Sequence, residues 1–311
     1  MNLQNLKYIV EVEHTGSITR AAENLFMGQP NLSKAIKDME TELGFKIFKR
    51  SSKGVTPTDK GLEFLQYAKS ILVQINKIES IYTERRRGSI NFSLLFSESA
   101  YISYASAEFL KDLNTENGLN VSLKEDNTDE VINSITIGEY NLGIIRVENN
   151  YDQFYMSLLS EKNLKSEILW EYELSVLLSD KNRLREKETV TNAQLSGLTE
   201  VVCSDAGVAH NPPLSFGLSG RRSLRQISAR DRESRFEILT NVPDTYMWAS
   251  RIPEEILKKT GIKEVCCSDL KRRVKDVLIY RKDYALTRYD NKFISVLNDV
   301  ISKLKFAETK E

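Results

Sequence analysis

Cysteine is scarce in this chain. The three cysteines, Cys203, Cys266 and Cys267, fit no zinc-binding spacing, and their odd number argues against a disulfide framework. Because adjacent cysteines rarely bridge to each other, a redox pair would have to join Cys203 to Cys266 or Cys267. Reduced thiols without a redox role are the simpler interpretation. The composition therefore predicts neither a metal site nor a cofactor.

Histidine and the common catalytic motifs are also missing. His14 and His210 are the only histidines, and the chain has no G-x-S-x-G, Walker, H-E-x-x-H or G-x-G-x-x-G pattern. Single serines or acids could still act in a cleft. The sequence therefore predicts a protein that is not an enzyme, with catalysis as the competing class.

Long apolar runs are absent as well. No stretch approaches the roughly 18 uncharged apolar residues that a membrane helix needs. The opening residues, MNLQNLKYIVEVEH, carry acids inside their apolar run and lack a small-residue cleavage site, which is unlike a signal peptide. We therefore expect a cytoplasmic protein with no membrane partner.

Net charge is zero, with 44 basic and 44 acidic residues in 311, which is long enough for two domains or more. The charge is unevenly distributed. Residues 1–90 carry 14 Lys and Arg against 10 Asp and Glu, and the remainder carries 30 against 34. This modest basic surplus suits an N-terminal region that meets phosphates while the body avoids them.

The most informative stretch lies between residues 17 and 44. It holds two helical stripes with i, i+3, i+4, i+7 spacing. Their members are Ile18, Ala21, Ala22 and Leu25, then Leu32, Ile36, Met39 and Leu43. Ser17 is a candidate N-cap, Gly28 lies between the stripes, and Pro30 suits the first turn of the second helix. Two short helices joined by a glycine-containing turn predict a helix-turn-helix, whose second helix can enter the DNA major groove.

The opposite face of the second helix is polar. Lysine and serine side chains suit phosphate oxygens, and Gln and Asn amides can pair with adenine edges. The residues on or beside this face are Gln29, Pro30, Asn31, Ser33, Lys34 and Lys37. A solvated polar face on an ordinary helix is the alternative. The small pair Ala21 and Ala22 favours the helix-turn-helix, because small side chains let two helices cross closely.

A basic hairpin follows the helices. Ile47 and Phe48 favour a strand, residues 51–54 favour a turn, and Pro57 ends the returning strand. The basic residues around this turn are Lys49, Arg50 and Lys53. A third helical stripe, which begins at Leu3 and Leu6, precedes the motif. A basic hairpin after a three-helix unit predicts a wing that lies on the DNA backbone.

These residues resemble the DNA-binding domain of the LysR-type transcriptional regulators. The matching positions follow the family's spacing without gaps and are Leu6, Ser17, Ala21, Ala22, Leu25, Gln29, Pro30, Leu32, Ser33, Ile36, Glu40, Leu43, Gly44, Phe48, Arg50, Thr58 and Gly61. Gly28 departs from the family, in which a serine or other capping residue is common. Glycine is an acceptable N-cap, so the helix is still expected.

The resemblance implies the partners. We expect double-stranded DNA with a pseudo-palindromic operator, a small-molecule effector, a homodimer or homotetramer, and a contact with RNA polymerase. The predicted DNA-binding residues are Ser17, Gln29, Pro30, Asn31, Ser33, Lys34, Lys37, Arg50 and Lys53.

Residues 58–87 predict one long helix. Thr58 is a candidate cap, and apolar residues then recur in a heptad-like register at Phe64, Ala68, Ile71, Ile75, Ile78 and Tyr82. A helix of this length spans about 45 Å, which is too long to bury its stripe within a small winged domain. A second copy of the same helix is the expected partner, with packing on the C-terminal domain as the alternative.

Beyond Gly88 the pattern changes to alternating strands and helices. Strand patterns at 90–96, 121–123 and 142–145 alternate with helical segments, which predicts a β-α-β-α-β unit. A second half begins near Glu173, and a strand at 277–280 and an amphipathic helix end the chain. Asn141 stands where the family commonly has aspartate. The family implies two Rossmann-like α/β lobes resembling type 2 periplasmic binding proteins, with an effector cleft between them.

The cleft is expected outside the carboxyl ends of the strands. The candidate effector-binding residues are Ser97, Glu98, Ser99, Ser204, Asp205 and Thr245, although each could be a plain capping or turn residue. Hydroxyls at a helix start suit a carboxylate metabolite, but Glu98 opposes a strong preference for anions. Six arginines between 221 and 235 favour a solvated face, with an anion site or a second DNA contact as the alternative.

The predicted domains are a winged helix-turn-helix at 1–58, a linker and dimerisation helix at 59–88, an effector domain at 89–305 and a tail at 306–311. Lobe one is expected at about 90–165 plus 270–304, and lobe two at about 166–269. The predicted function is LysR-type regulation of transcription controlled by an effector. The alternatives are a small-molecule-binding or enzymatic α/β protein with an accessory DNA-binding domain, and an architectural DNA-binding protein without an effector.

Overall fold

The computed structural model describes residues 2–51, 54–84, 89–116, 118–203 and 225–308. The chain divides into two compact units: Met1–Ser89 with Thr136–Glu139, and Ile90–Ile135 with Tyr140–Glu311. Across the described ranges, no helix combines the length and the apolar character needed to cross a membrane.

The described part of Met1–Ser89 contains four helices and one hairpin. In chain order these are α1 (Leu3–Thr15), α2 (Ile18–Asn24), α3 (Gln29–Leu43), β1 (Phe48–Ser51), β2 (Gly54–Pro57) and α4 (Asp59–Glu84). Both predicted helical stripes of the helix-turn-helix face a common core, in which Ala21, Leu32 and Ile36 are buried. The small side chains of Ala21 and Ala22 lie in this core, as expected for two helices that pack closely.

Local caps set the ends of the first three helices. Ser17 accepts a hydrogen bond from the Arg20 amide at 3.4 Å, which confirms it as the N-cap of α2. Gly28 is the N-cap of α3, with Pro30 in the first turn. Gly44 ends α3 in the left-handed conformation at φ 75°, where glycine avoids the penalty of a Cβ atom.

The predicted wing is an antiparallel hairpin of β1 and β2, in which Arg50 pairs with Val55. Gly61, in the first turn of α4, fixes its base: a Cβ atom at this position would lie 2.0 Å from the carbonyl oxygen of Ile47. Only glycine therefore allows α4 to pack this closely on the chain before β1.

The long helix α4 has two different halves. Leu65 and Ala68 are buried in the core of the first unit. Further along, Ile71 is 37% exposed and Ile78 is 55% exposed. The predicted stripe is therefore covered by its own unit at Leu65 and Ala68, whereas two of its later members, Ile71 and Ile78, are exposed. Residues 85–88, at the predicted end of this helix, lie outside the described residues.

The second unit alternates strands and helices. Its elements are β3 (Ile90–Ser97), α5 (Ala100–Lys111), β4 (Leu119–Asp126), α6 (Thr128–Ile137), β5 (Leu142–Glu148), α7 (Asp152–Glu161), β6 (Leu164–Glu173), β7 (Ser175–Leu178), β8 (Thr189–Val190), α8 (Asn192–Leu195), β9 (Thr199–Cys203), β10 (Gln226–Ala229), α9 (Arg232–Asn241), β11 (Thr245–Ala249), α10 (Glu254–Thr260), β12 (Lys263–Cys267), β13 (Arg273–Arg281) and α11 (Arg288–Glu308).

These strands form two sheets, which confirms the predicted two-lobe α/β architecture. The first sheet has the order β4-β3-β5-β13-β6, with β4, β3 and β5 parallel and the last two strands antiparallel to their neighbours. The second has the order β10-β9-β11-β7-β12-β8. The chain therefore leaves the first sheet after β6 and returns to it at β13.

The boundary between the lobes differs from the predicted position at residue 166. Strand β6 continues to Glu173, where it pairs with Arg273 of β13, so residues 166–173 belong to the first sheet. The sequence obscured this edge strand because four of its ten side chains, Lys165, Ser166, Glu167 and Glu171, are polar and exposed and interrupt the apolar pattern. Edge strands with one solvated face carry less apolar signal than buried parallel strands.

Candidate functional site

The second helix of the helix-turn-helix presents a polar edge to solvent. Leu32, Ile36 and Met39 of α3 are buried. The predicted contact residues on the other side are exposed, with Ser33 half-buried: Gln29, Pro30, Asn31, Ser33, Lys34 and Lys37. Neither Lys34 nor Lys37 makes an ion pair within the described residues. Their charges are therefore available to an external anion.

The wing places a further cation beside this edge. Arg50 of β1 is exposed and donates a hydrogen bond from Nη2 to Ser33 Oγ at 3.1 Å. This bond brings a residue of the hairpin and one of α3 into contact, as a joint surface requires. Lys53, the other predicted wing contact, lies outside the described residues. Ser17 is half-buried and its hydroxyl caps α2.

Glu40 ties the wing to α3, a role that the sequence did not reveal. Its carboxylate is buried and accepts hydrogen bonds from the amides of Ile47 at 2.9 Å and Phe48 at 3.2 Å. The same carboxylate pairs with Lys46 at 2.7 Å. A glutamate on the core side of an otherwise apolar helical stripe was the available signal. Its bonds fix where β1 starts relative to the exposed edge of α3.

A pocket of about 130 Å³ lies between the two sheets of the second unit. Its walls come from the end of β3, from β5, β9 and β11, and from α9. The lining residues are Ser97, Glu98, Arg146, Leu174, Glu200, Val201, Val202, Cys203, Arg235, Met247, Trp248, Ala249 and Arg272. This volume is below the ~300–1,000 Å³ that is typical of small-molecule pockets.

Arg146 occupies the floor of this pocket and is held by a buried network. Its Nε and Nη2 donate to the two oxygens of Asp276, each at 2.8 Å, and its Nη1 donates to the carbonyl oxygen of Glu98. The hydroxyls of Tyr101 and Tyr172 donate to the same carboxylate at 2.7 and 2.8 Å. Asp276 is only 1% exposed, so the hydrogen bonds to its carboxylate lie inside the protein.

This network shifts the titration of its members. Burial disfavours the Arg146 cation, but the adjacent Asp276 carboxylate outweighs this and raises the pKa of Arg146. Burial, and then the negative charge of Asp276, raise the pKa of Tyr101. Arg146 therefore stays charged and Tyr101 stays protonated at any physiological pH.

Two ion pairs join the first sheet to helix α9 of the second. Glu98 Oε2, just after β3, lies 2.5 Å from Arg235 Nη1, and Glu125 Oε1 of β4 lies 2.9 Å from Arg232 Nη1. Arg235 is 4% exposed, which corrects the interpretation of the arginine run as a solvated face at this position. Periodicity could not reveal this, because its partner Glu98 is remote in sequence. Arg221 and Arg222 lie outside the described residues.

Glu200 differs from Glu98, the other acid among the lining residues. It is 7% exposed and accepts a hydrogen bond from Gln226 Nε2 at 3.1 Å. Burial raises the pKa of this carboxyl group, and no salt bridge to it is found among the described residues. Arg272, also on the pocket wall, is instead paired with Glu148 at 2.9 Å and lies over the Trp248 ring.

The predicted effector-binding residues occupy different environments. Ser97 and Glu98 line the pocket. The Ser99 side chain is buried, with its hydroxyl 3.3 Å from that of Ser250. Thr245 is fully buried and its hydroxyl donates to the Val242 carbonyl oxygen at 2.8 Å, which is a structural cap. Ser204 and Asp205 lie outside the described residues, and an effector role for the whole set stays a prediction.

The cysteines do not form the bridge considered above. All three are unbridged thiols, and the strands that carry Cys203 and Cys266 are separated by β11 and β7. Three strand spacings amount to about 14 Å, whereas a disulfide needs Cα atoms within ~7 Å. Within the described residues no cluster of potential ligands could hold a metal ion.

Comparisons with known proteins agree with this architecture. Residues 3–62 match the model of the bacterial regulatory helix-turn-helix proteins of the lysR family. The hydrogen peroxide-inducible genes activator of Haemophilus influenzae is 21% identical over 98% of both chains. The nitrogen assimilation regulatory protein nac of Escherichia coli is 40% identical over 79 residues, 25% of this chain and 26% of that protein.

A solved structure shows the same fold along the whole chain. The LysR family regulator CbnR aligns with a TM-score of 0.59 and 17% identity, covering 96% of this chain and 99% of its own. This match places a helix-turn-helix unit before an α/β body in both proteins. Residues 3–62 therefore match the DNA-binding region of the lysR family, and the chain as a whole has the fold of a LysR family regulator.

Proposed function

We propose that this regulator binds a specific duplex DNA site through the exposed edge of α3 and the wing. The main support for this proposal is that Lys34 and Lys37 are exposed and make no ion pair within the described residues, while the other face of the same helix is buried. CbnR, one of the proteins with this fold, has been solved in a complex with its target DNA.

Within this surface we assign two kinds of contact. Lys34, Lys37, Arg50 and Lys53 neutralise phosphates, and Ser17 holds the start of α2 at the duplex backbone. Gln29, Asn31 and Ser33 lie nearest the base edges, and Pro30 starts the helix between them. Phosphate contacts set affinity for every sequence, whereas base contacts set preference among sequences.

We further propose that α4 pairs with a second copy of itself. Ile71 and Ile78, two apolar residues of the predicted stripe, are exposed. A homodimer brings two helix-turn-helix units to a pseudo-palindromic operator, and a homotetramer is two such pairs. We keep the predicted domain limits: the winged helix-turn-helix ends at 58, the dimerisation helix at 88 and the effector domain at 305.

The pocket between the sheets is proposed as the effector site. Glu98 and Glu125 bridge to α9 in this conformation, so a ligand that changes those pairs changes the relative position of the lobes. A carboxylate effector has to compete with Glu98 for Arg235, because that cation is already paired. An effector that binds two arrangements of the lobes with different affinity shifts the protein toward one of them. Through this shift the effector controls contact with DNA and with RNA polymerase.

The proposal is tested with the full-length chain and a pool of random duplexes. Selection followed by fluorescence anisotropy should yield an enriched duplex whose affinity falls steeply with salt. Gln29→Ala should change preference among bases by on the order of 1–3 kcal/mol, and Lys34→Ala should weaken all duplexes alike. Lys259→Ala, an exposed lysine of α10, is the matched control.

The same binding experiment can contradict the proposal in two ways. If the wild-type chain shows no salt-sensitive binding to any duplex, the assignment of the α3 edge fails. If Gln29→Ala and Lys34→Ala reduce binding to selected and random duplexes equally, the division into base and phosphate contacts is wrong. Saturable ligand binding without turnover separates the effector site from the enzymatic alternative.

A further inference from the structure

Phe26, in the turn between α2 and α3, is both strained and exposed. Its φ is 52°, in the left-handed region, and its side chain is 97% exposed. The other two non-glycine residues with positive φ in the described chain are Asn163 and Asp244. Asn and Asp tolerate this region, whereas a bulky aromatic residue does not. Phe26 is therefore an outlier by residue type.

The strain comes from a helix-ending motif that normally uses glycine. The Met27 amide donates to the Ala22 carbonyl oxygen at 3.0 Å, and the Phe26 amide donates to that of Glu23 at 3.1 Å. This pair of bonds is a Schellman motif with Phe26 at the position that glycine or asparagine usually occupies. The backbone needs no side chain here, so local folding does not explain a phenylalanine.

Packing does not explain it either. Leu25 and Met27, on either side, pack against the core of the first unit. Phe26 joins none of the buried clusters of the described chain and points into solvent at nearly full exposure. A strained backbone position that carries an unpacked apolar side chain indicates a functional constraint.

The position of the turn identifies the partner. Phe26 precedes Gln29 by three residues, at the start of the exposed α3 edge that also contains Asn31, Lys34 and Lys37. This edge is polar and basic, which suits a nucleic acid, and the turn lies at the end of α3 that meets the bases. The apolar group that a duplex presents in its major groove is the C5-methyl of thymine, and phenylalanine is among the side chains that contact it.

We propose that Phe26 is a specificity-determining residue that packs on a thymine methyl group at the edge of the operator half-site. This inference rests on the proposed function, because it places Phe26 in the same DNA interface. It adds an apolar contact to the polar set on α3. A preference for thymine at one fixed position in each half-site follows from it.

The test uses the full-length chain and the duplex enriched by selection on it. Deoxyuridine replaces thymidine at one position at a time, which removes only the C5-methyl group. We expect one position in each half-site at which the wild type loses affinity several-fold and Phe26→Asn does not. Phe26→Asn itself should bind the thymidine duplex on the order of tenfold more weakly, because it lacks the ring that becomes buried against the methyl group on binding. Phe26→Tyr, which keeps an aromatic ring, should bind like the wild type and show the same response to deoxyuridine.

Stability separates this contact from a structural role. Asparagine tolerates the left-handed region, so Phe26→Asn should melt at the wild-type temperature or above it while binding DNA less tightly. Phe154→Asn, at an exposed phenylalanine of α7, is the control and should leave DNA binding unchanged.

Three results would overturn the inference. They are wild-type affinity in Phe26→Asn, an equal loss on every duplex with no coupling to deoxyuridine, and a change in oligomeric mass that shows Phe26 at a contact between copies. In the first two results the wild type still binds DNA, so the proposed function survives. Failure of the wild type to bind any duplex would remove both.

Discussion

The basic residues of the two candidate sites differ in exposure and in ion pairing. On the helix-turn-helix, Lys34 and Lys37 are exposed and make no ion pair within the described residues. In the pocket of the second unit, Arg146, Arg235 and Arg272 are each buried against a carboxylate at 2.5–2.9 Å. The same charge thus serves an external partner in one region and the internal structure in the other. Removing a basic or acidic group should reveal this difference as a difference in stability.

The largest effect is expected at the buried network. Asp276→Ala leaves Arg146 charged and unpaired in the interior and removes the acceptor of Tyr101 and Tyr172. We expect the free energy of unfolding of the second unit to fall by about 3–5 kcal/mol in a urea titration of the full chain. Asp283→Ala, at an exposed acid beside Arg281, is the control and should change it by less than about 0.5 kcal/mol. A loss below about 1 kcal/mol for Asp276→Ala would show that the network is not structural.

A smaller loss is expected where a buried acid supports the DNA-binding surface. Glu40→Ala removes the acceptor of the Ile47 and Phe48 amides and the partner of Lys46. We expect the first unit to lose about 1–3 kcal/mol, measured by thermal and urea unfolding. Glu42→Ala, at an exposed acid of α3, supplies the comparison. Equal stability of the two variants would contradict the role assigned to Glu40 in fixing the wing.

An effect of opposite sign is expected at Glu200. Burial raises the pKa of its carboxyl group in the folded state, so ionisation disfavours the fold above that pKa and the penalty is relieved as the pH falls through it. Glu200→Gln should therefore be more stable than the wild type at neutral pH, with the difference shrinking in acid. Melting temperatures between pH 4 and 8 measure this directly. A variant that is less stable at neutral pH would mean that the carboxylate is favourably paired there.

The smallest effect on stability is expected at the exposed lysines. The double variant Lys34→Ala, Lys37→Ala removes no ion pair within the described residues, so the free energy of unfolding should change by less than about 0.5 kcal/mol. The salt dependence of duplex binding should nevertheless weaken by ~0.9 in slope for each phosphate that the variant no longer neutralises. A clear loss of stability in this variant would erase the contrast between the two regions.

Much of the first unit could be predicted from the sequence because its contacts are local. The stripes of α2 and α3, the Ser17 cap and the basic hairpin are each formed by residues only a few positions apart in the sequence. The exposed edge of α3 then follows from helical periodicity alone. The role of Glu40 did not follow, because its partners in β1 are set by tertiary packing.

The pocket of the second unit was much less accessible to sequence reasoning. Ser97 and Glu98 were found because they follow an apolar strand. Arg146, Glu200 and Arg272 were not, because each is flanked by residues typical of ordinary strands or turns, and Arg235 was considered only as part of an arginine run, with an anion site as the alternative. The edge strand β6 was missed for a related reason: its polar outward face resembles a loop.

What the sequence by itself determined is the helix-turn-helix, its polar edge and the alternation of strands and helices, since periodicity and capping act over a few residues. Only the tertiary structure decided which charges are exposed and which are paired. It brings Arg146 to Asp276 and Glu98 to Arg235 across more than a hundred residues of chain. The pairing of a buried charge depends on distance in space, and no local pattern encodes that distance.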